Sequence, residues 1–226
     1  MSSINFVSFL IPQTIEKFNS SFNGEIRVVK FLGKPRIIVK GLIQSGGMIE
    51  LIWGKGIKKI AKLLRPEADR PLDENCQIVN CLILGLGGGT AAKIIHNKFP
   101  KAKIIGVEID PVMIKLGKKY FGLDKLKNLT IINDDALKTL PRLRIKYDLV
   151  LVDLYLGDQI PLKSESETFL RHLKKLLGKH GIIIFNRLFY GKNRQTTENF
   201  IKKLDKIFPR TELIRAWSNL LVVSRK

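Results

Sequence analysis

Cysteine is nearly absent from this 226-residue chain: only Cys76 and Cys81 occur. Their C-x4-C spacing at the mouth of an apolar run suits neither a zinc site nor a redox pair, which leaves free thiols and a reducing cytoplasm as the expectation. Histidine is scarce too, and His96, His172 and His180 are scattered along the chain, so no metal site is expected. No apolar run reaches the roughly 18–20 residues of a membrane span. The start, MSSINFVSFLIP, lacks a basic n-region, so no secretory leader is expected. Internal repeats and low-complexity tracts are missing. Acids are few: 20 against 40 lysines and arginines, for a net charge of +20. Such a charge attracts nucleic acid or anionic surfaces. The lysines, however, are spread over almost every helical stretch (Lys58, Lys59, Lys62; Lys115, Lys118, Lys119; Lys202, Lys203, Lys206) without interleaved aromatics, which reads as solvated helix faces rather than a nucleic-acid motif. Trp53 and Trp217 read as packing residues.

The most informative stretch runs from residue 78 to 111. An apolar run, 78–84, ends in Gly85-Leu86-Gly87-Gly88-Gly89. A helical pattern covers 90–98, and a second apolar run, 103–109, carries Glu108, 19 residues beyond the last glycine. Strand, glycine turn, helix, strand and acid form a βαβ unit of the kind that binds a nucleoside cofactor at the carboxyl edge of a parallel sheet. Gly85 and Gly87 permit a sharp turn with no Cβ between backbone and ligand, and Gly89 permits close packing of helix on strand. Glu108 offers acceptors for two ribose hydroxyls; a charge-assisted hydrogen bond of this kind contributes roughly 1.5–3 kcal/mol.

The remainder divides into two parts, 1–72 and 73–226. Residues 1–20 are weakly patterned. Residues 25–32 and 36–41 flank Gly33-Lys34-Pro35 as a β-hairpin, and 42–44 and 48–53 flank Ser45-Gly46-Gly47 as a second pair of short strands. Residues 56–64 suggest a short amphipathic helix and 65–77 a linker. Beyond the βαβ unit, Asp110 and Pro111 open a helix as N-cap and first-turn proline, running to about residue 120. Further strands are expected at 129–132, 148–152 and 182–186, with helices at 136–140, 165–177 and 195–207 and a turn at 178–181. Strands at 211–217 and 219–224 are joined so tightly that they must be antiparallel.

Alternating α/β order with a terminal antiparallel hairpin resembles the class I S-adenosylmethionine-dependent methyltransferase fold, a Rossmann-like, mostly parallel seven-stranded sheet. More narrowly, the chain resembles the polyamine aminopropyltransferases, the spermidine synthase family, from about residue 24 to the end. The resemblance rests on a small N-terminal antiparallel sheet, on Gly41-Leu42-Ile43-Gln44-Ser45, on Val107-Glu108-Ile109-Asp110-Pro111, on Asp135-Ala136, and on Tyr147-Asp148 through Val152-Asp153. It implies S-adenosylmethionine or its decarboxylated form as cofactor, held by Gln44, Gly85, Gly87, Gly89, Glu108 and Asp135. It further implies Asp153 as the catalytic base toward a small-molecule amine, Tyr155 and Asp158 as substrate contacts, and a homodimer through the N-terminal sheet. The chain departs from the family at Gly88, where an aspartate that binds the aminopropyl amine is usual. It departs again at Asp153-Leu154-Tyr155-Leu156-Gly157-Asp158, in place of aspartate–serine–x–aspartate–proline, and at Trp53-Gly54-Lys55, in place of a tyrosine and a histidine–glutamate pair. Fewer acids therefore face the amine, and a free diamine is repelled at long range by the net charge. Three readings follow: transfer of the alkyl group from decarboxylated cofactor to an amine, methyl transfer to another acceptor, or a relative that binds cofactor or nucleic acid without catalysis.

Overall fold

The structure, a computed structural model, describes residues 11–63, 78–157 and 159–226. The linker reading of 65–77, Cys76 and Asp158 lie outside the described residues. Two sheets organise the rest. Strands β1 (Gln13–Ser20), β2 (Gly24–Phe31), β3 (Lys34–Val39) and β4 (Leu42–Ser45) form an antiparallel sheet in chain order. The larger sheet contains β5 (Asn80–Leu84), β6 (Lys103–Glu108), β7 (Leu129–Asn133), β8 (Tyr147–Val152), β9 (Leu177–Leu188), β10 (Arg210–Ala216) and β11 (Asn219–Arg225), in the order β10-β11-β9-β8-β5-β6-β7. Strands β5 to β9 pair in parallel, and β11 runs antiparallel to β9 and β10.

Helices cover both faces of this sheet, so its central strands read as unbroken apolar runs rather than alternating ones. One face packs against α1 (Met48–Leu63) and α2 (Thr90–Lys98), through Ile52, Trp53, Ile57, Ile60, Ala92 and Ile95. The other packs against α5 (Glu167–Leu176) and α6 (Asn193–Asp205), through Phe169, Leu170, Leu173, Phe200 and Leu204. Between them in the chain lie α3 (Pro111–Phe121) and the one-turn α4 (Ala136–Thr139).

Two expectations for the N-terminal part need correction. Residues 48–53 are not a strand but the first turns of α1. The apolar residues Ile49, Ile52, Trp53, Ile57 and Ile60 recur at helical spacing and face the large sheet. Gly54 and Gly56 disguise the helix; at Gly56 the helix approaches β11 closely, and a Cβ there would meet Leu221 Cδ1 at 2.7 Å and push that side chain aside. The N-terminal residues 13–20, read as unpatterned, form β1 as an edge strand on β2. Its residues are mostly exposed, which erases the alternation that marks a half-buried strand. The expected turn at 178–181 survives as an irregularity inside β9, between the pairings of Leu177 with Tyr147 and Ile182 with Leu149.

The small sheet is fixed to the large domain through α3. Ile26, Val28, Ile37 and Val39 pack on Met113 and Leu116, each such burial contributing roughly 1.5–3 kcal/mol. Asp110, fully buried, caps α3 by accepting from Val112 N at 2.8 Å; its second oxygen accepts from Ser20 Oγ at 2.5 Å and Asn23 Nδ2 at 2.6 Å. One carboxylate thus closes a helix end and anchors the β1–β2 turn. Replacing Asp110 with alanine removes a cap worth about 0.5–2 kcal/mol and strands two polar groups. The expected loss is about 2–4 kcal/mol in urea unfolding; a loss below about 0.5 kcal/mol would contradict this account.

Candidate active site

The carboxyl ends of β5, β6, β7 and β8 converge where the strand order reverses, between β5 and β8. Open α/β sheets place their ligand crevices there. Gly85 and Gly87 form the turn after β5, and Gly89 precedes α2. Gly89 packs closely beneath Leu123, in the segment after α3, rather than on a strand. Glu108, the last residue of β6, is 8% exposed and accepts from Gly87 N at 2.7 Å and Asp110 N at 3.0 Å. Burial raises its carboxyl pKa above the usual range, and those two backbone donors act against the shift. Asp135 caps α4 by accepting from Leu137 N at 2.8 Å with one oxygen. Neighbouring Asp134 pairs with Arg142, and the Asp135 N–H with the Arg142 pair lowers its pKa.

Gly85, Gly87, Glu108, Asp134 and Asp135 line a cleft of about 1000 Å³ counted out into the solvent at its open mouth, and Gly89 lies outside that lining. Among the described residues its wall holds Glu108, Asp134, Asp135 and Asp153 and no lysine or arginine. In a chain of net charge +20, this is a local reversal of sign. The roof comes from the small sheet. Gln44 lines the cleft and donates to Gly157 O at 3.2 Å, while Asn23 Oδ1 accepts from Gly157 N at 3.3 Å. Ser45 Oγ accepts from Gly88 N at 2.8 Å, and Thr90 Oγ1 accepts from Gly46 N at 3.0 Å. Gly88 is consequently locked: a Cβ there would meet Ser45 Oγ at 2.7 Å and Ile37 Cδ1 at 2.8 Å. Any side chain at this position would force Ser45 and Ile37 to shift.

Asp153, just past β8, stands at the far wall. Its oxygens accept from Trp53 Nε1 at 3.1 Å and Asn186 Nδ2 at 2.8 Å, and Asn186 Oδ1 accepts from Asn219 Nδ2 at 2.7 Å. Burial pushes the Asp153 pKa up to about 6, against the pull of both donors. Asp153 also borders a second cleft, on the side away from the glycine turn, together with Gln44, Tyr155, Asn186, Tyr190 and Asn219. Tyr155 lines both clefts. Its hydroxyl donates to Asn186 O at 3.1 Å and accepts from Leu188 N at 2.9 Å, and burial followed by the Asp153 charge raises its pKa.

The structure therefore gathers Gln44, Gly85, Gly87, Glu108, Asp135, Asp153 and Tyr155 around one cleft. Sequence reasoning missed the donors to Asp153. Trp53 was read as packing only, although it is both buried and hydrogen-bonded. Asn186 carried a usable signal, as the polar residue ending the apolar run 182–185. Ser45 carried none. Among the described residues no group of three or more histidine, cysteine or acidic side chains could hold a metal ion, and no helix is long and apolar enough to cross a membrane.

Sheet order, terminal hairpin and a glycine turn followed by acids define the class I S-adenosylmethionine-dependent methyltransferase fold. The chain belongs to the spermine/spermidine synthase domain family, which residues 69–218 match. An eEF1A lysine and N-terminal methyltransferase homolog of Drosophila melanogaster is 34% identical over 137 residues, 57% of this chain and 20% of that protein. The polyamine aminopropyltransferase of Vibrio vulnificus is 32% identical over 114 residues, 49% of this chain and 38% of that protein. The matches thus span well under half the length of these curated relatives. The crystal structure of a spermidine synthase in complex with the transition-state analogue AdoDATO shares the fold with a TM-score of 0.73 at 14% identity, over 95% of this chain and 72% of that one.

The Asp153 shift has a measurable signature. A folded-state pKa near 6 lies above the unfolded value of about 3.9, so this carboxyl's contribution to stability is full below the unfolded pKa and is lost as pH rises through about 6. Because Trp53 donates to that carboxylate, its fluorescence should titrate with a midpoint near pH 6 in a Trp217→Phe background. The transition should vanish in Asp153→Asn; a transition that persists there belongs to another group.

Proposed function

We propose that this protein transfers a methyl group from S-adenosylmethionine to an amine, and that the amine is carried by a polypeptide. The observation that carries this reading is Asp153 in the wall shared by two clefts, one acid-lined at the carboxyl edge of the sheet, the other free of further acids among the described residues. When bound, the cofactor supplies an electrophilic methyl on a cationic sulfur. Glu108 is suited to accept ribose hydroxyls, since each of its oxygens keeps a lone pair beyond the bonds from Gly87 N and Asp110 N. Asp135 keeps one oxygen free of the cap for the adenine amino group. The turn at Gly85 and Gly87 would lie against the methionyl part, and Gln44 closes the roof.

On the acceptor side an amine must be neutral to attack, and amines are mostly protonated at neutral pH. Asp153 is placed to receive the ammonium, align it and take its proton, which then passes to solvent. Trp53 and Asn186 hold the carboxylate in one orientation for this role.

Methyl transfer is favoured over aminopropyl transfer by the glycine turn. The family resemblance leads one to expect an aspartate for the aminopropyl amine in this turn, and Gly85-Leu86-Gly87-Gly88-Gly89 carries no carboxylate side chain. The named lysine and N-terminal methyltransferase homolog supports a polypeptide amine as acceptor. Family membership keeps aminopropyl transfer as the competing reading.

Paired calorimetric titrations separate the two. S-adenosylmethionine should bind at least about tenfold tighter than its decarboxylated form, which differs from it only in lacking the carboxylate; the reverse order would sink the methyl reading. Asp153→Asn should lower kcat by about 100-fold or more with cofactor affinity unchanged. In the parent, kcat should fall as pH drops below about 6, where Asp153 becomes protonated; a flat profile from pH 5 to 8 would remove Asp153 from that role.

A further inference from the structure

Asp153 stands at the end of a file of hydrogen bonds that begins in the closing hairpin. Trp217 and Ser218 make the β10–β11 turn, and Asn219 opens β11 opposite Ala216. Ser218 Oγ donates to Asn219 Oδ1 at 3.0 Å. Asn219 Nδ2 donates to Asn186 Oδ1 at 2.7 Å, and Asn186 Nδ2 donates to Asp153 Oδ1 at 2.8 Å. The strands β11, β9 and β8 are neighbours in the sheet, so Asn219 stands two strand spacings, roughly 10 Å, from the carboxylate. Asn186 and Asn219 are each 5% exposed, and both border the second cleft.

The direction of these bonds matters. A carboxamide has a donor end and an acceptor end of nearly the same shape. With its nitrogen toward Asp153, the Asn186 amide stabilises a carboxylate. With its oxygen there, it would repel the carboxylate and accept the proton of a carboxylic acid. Asp153 alone enforces neither choice, because its two protonation states ask for opposite ends. Asn219 does. Turning the Asn186 amide over would set its nitrogen against Asn219 Nδ2, donor against donor, at a buried site where unmade bonds are costly. The donor end is thereby held toward Asp153 in both protonation states.

Few charges share this space. Tyr155 lies on the same segment as Asp153, and Glu108, Asp134 and Asp135 lie across the first cleft, at the ends of β6 and β7. Tyr190, beyond β9, borders the second. Helix α1 presents Trp53, and β9 and β11 present Asn186 and Asn219. Arg187, next to Asn186, pairs with Glu165 and lies 4.3 Å from the centre of the Phe200 ring, on the α6 side of the sheet. Among the described residues no lysine or arginine lines either cleft. Hydrogen-bond direction is therefore the means by which this wall favours an ionised Asp153.

We infer that Asn219 is a positioning residue: acting through Asn186, it keeps a donor against Asp153 and favours the carboxylate that receives the amine. Its consequence for turnover rests on the amine-methylation reading; its consequence for the charge of Asp153 rests on hydrogen-bond geometry alone.

The test follows Trp53 fluorescence in the Trp217→Phe background, where the parent midpoint is expected near pH 6. Asn219→Leu should raise that midpoint by about half a unit to one unit, the scale of one weakened hydrogen bond. Asn186→Leu should raise it at least as far. The double variant should go no further than Asn186→Leu alone, because Asn219 acts through that amide. An unchanged midpoint in Asn219→Leu would overturn the inference. Additive shifts would overturn it too, since Asn219 would then reach Asp153 by another route. Where Asn219→Leu does not fold, the parent answers by NMR: the Asn219 side-chain amide protons should titrate with the same midpoint and stop doing so in Asp153→Asn. Amide protons indifferent to that substitution would overturn the inference. In turnover, the acid limb of the kcat profile in Asn219→Leu should move with the fluorescence midpoint while calorimetric cofactor affinity stays unchanged. A moved midpoint with an unmoved kcat limb would uphold the positioning of Asp153 and refute its role as the base.

Discussion

The seating of the small sheet on the glycine turn is the contact on which the site depends. Ser45 Oγ meets Gly88 N, Thr90 Oγ1 meets Gly46 N, and buried Asp110 ties Ser20 and Asn23 to the start of α3. The carboxyl edge of an open parallel sheet would otherwise be a wet shelf on which carboxylates are well hydrated and weakly directional. With the small sheet in place, the shelf becomes a roofed cleft. Electrostatic interactions inside it strengthen as water is excluded. The burial that raises the Glu108 and Asp153 pKa values follows from the same closure.

That closure also accounts for the charge pattern. The chain is cationic overall, while among the described residues the cleft wall holds four acids and no lysine or arginine. A sulfonium cofactor gains from such a wall only if the acids remain ionised. Each is accordingly held by donors: backbone N–H groups at Glu108 and Asp135, Arg142 at Asp134, and Trp53 with Asn186 at Asp153. Desolvation and hydrogen bonding thus pull in opposite directions at the same groups. At Asp153 desolvation wins, which leaves a carboxyl that changes charge near pH 6.

The family scaffold is compatible with more than one transfer, and a small local difference bears on which. A Cβ at Gly88 would meet the side chains of Ser45 and Ile37, so the small sheet packs against the turn at its tightest point. The turn brings no carboxylate side chain of its own to the cleft, and Asp153 stands at the far wall. Specificity of this kind arises as much from what is excluded as from what is bound.

The strand–turn–helix–strand unit, its acid, the capping of α3 by Asp110 and Pro111, and the antiparallel ending were all legible in the sequence. Each is written in contiguous residues by hydrophobic period, turn chemistry or connection length. The same local rules failed where context overrides them. Gly54 and Gly56 masked α1, and the residue that Gly56 packs against, Leu221, lies far along the chain. Edge strand β1 left no alternation to read. The sequence by itself determined which side chains end the strands and therefore which could share a crevice. Only the tertiary structure decided what Asp153 is bonded to, since Trp53 lies 100 residues before it and Asn186 33 after. It also decided that Ser45 fills the space beside Gly88, 43 residues away. Partners so distant are chosen by how helices and sheets pack, and local periodicity carries no record of that choice.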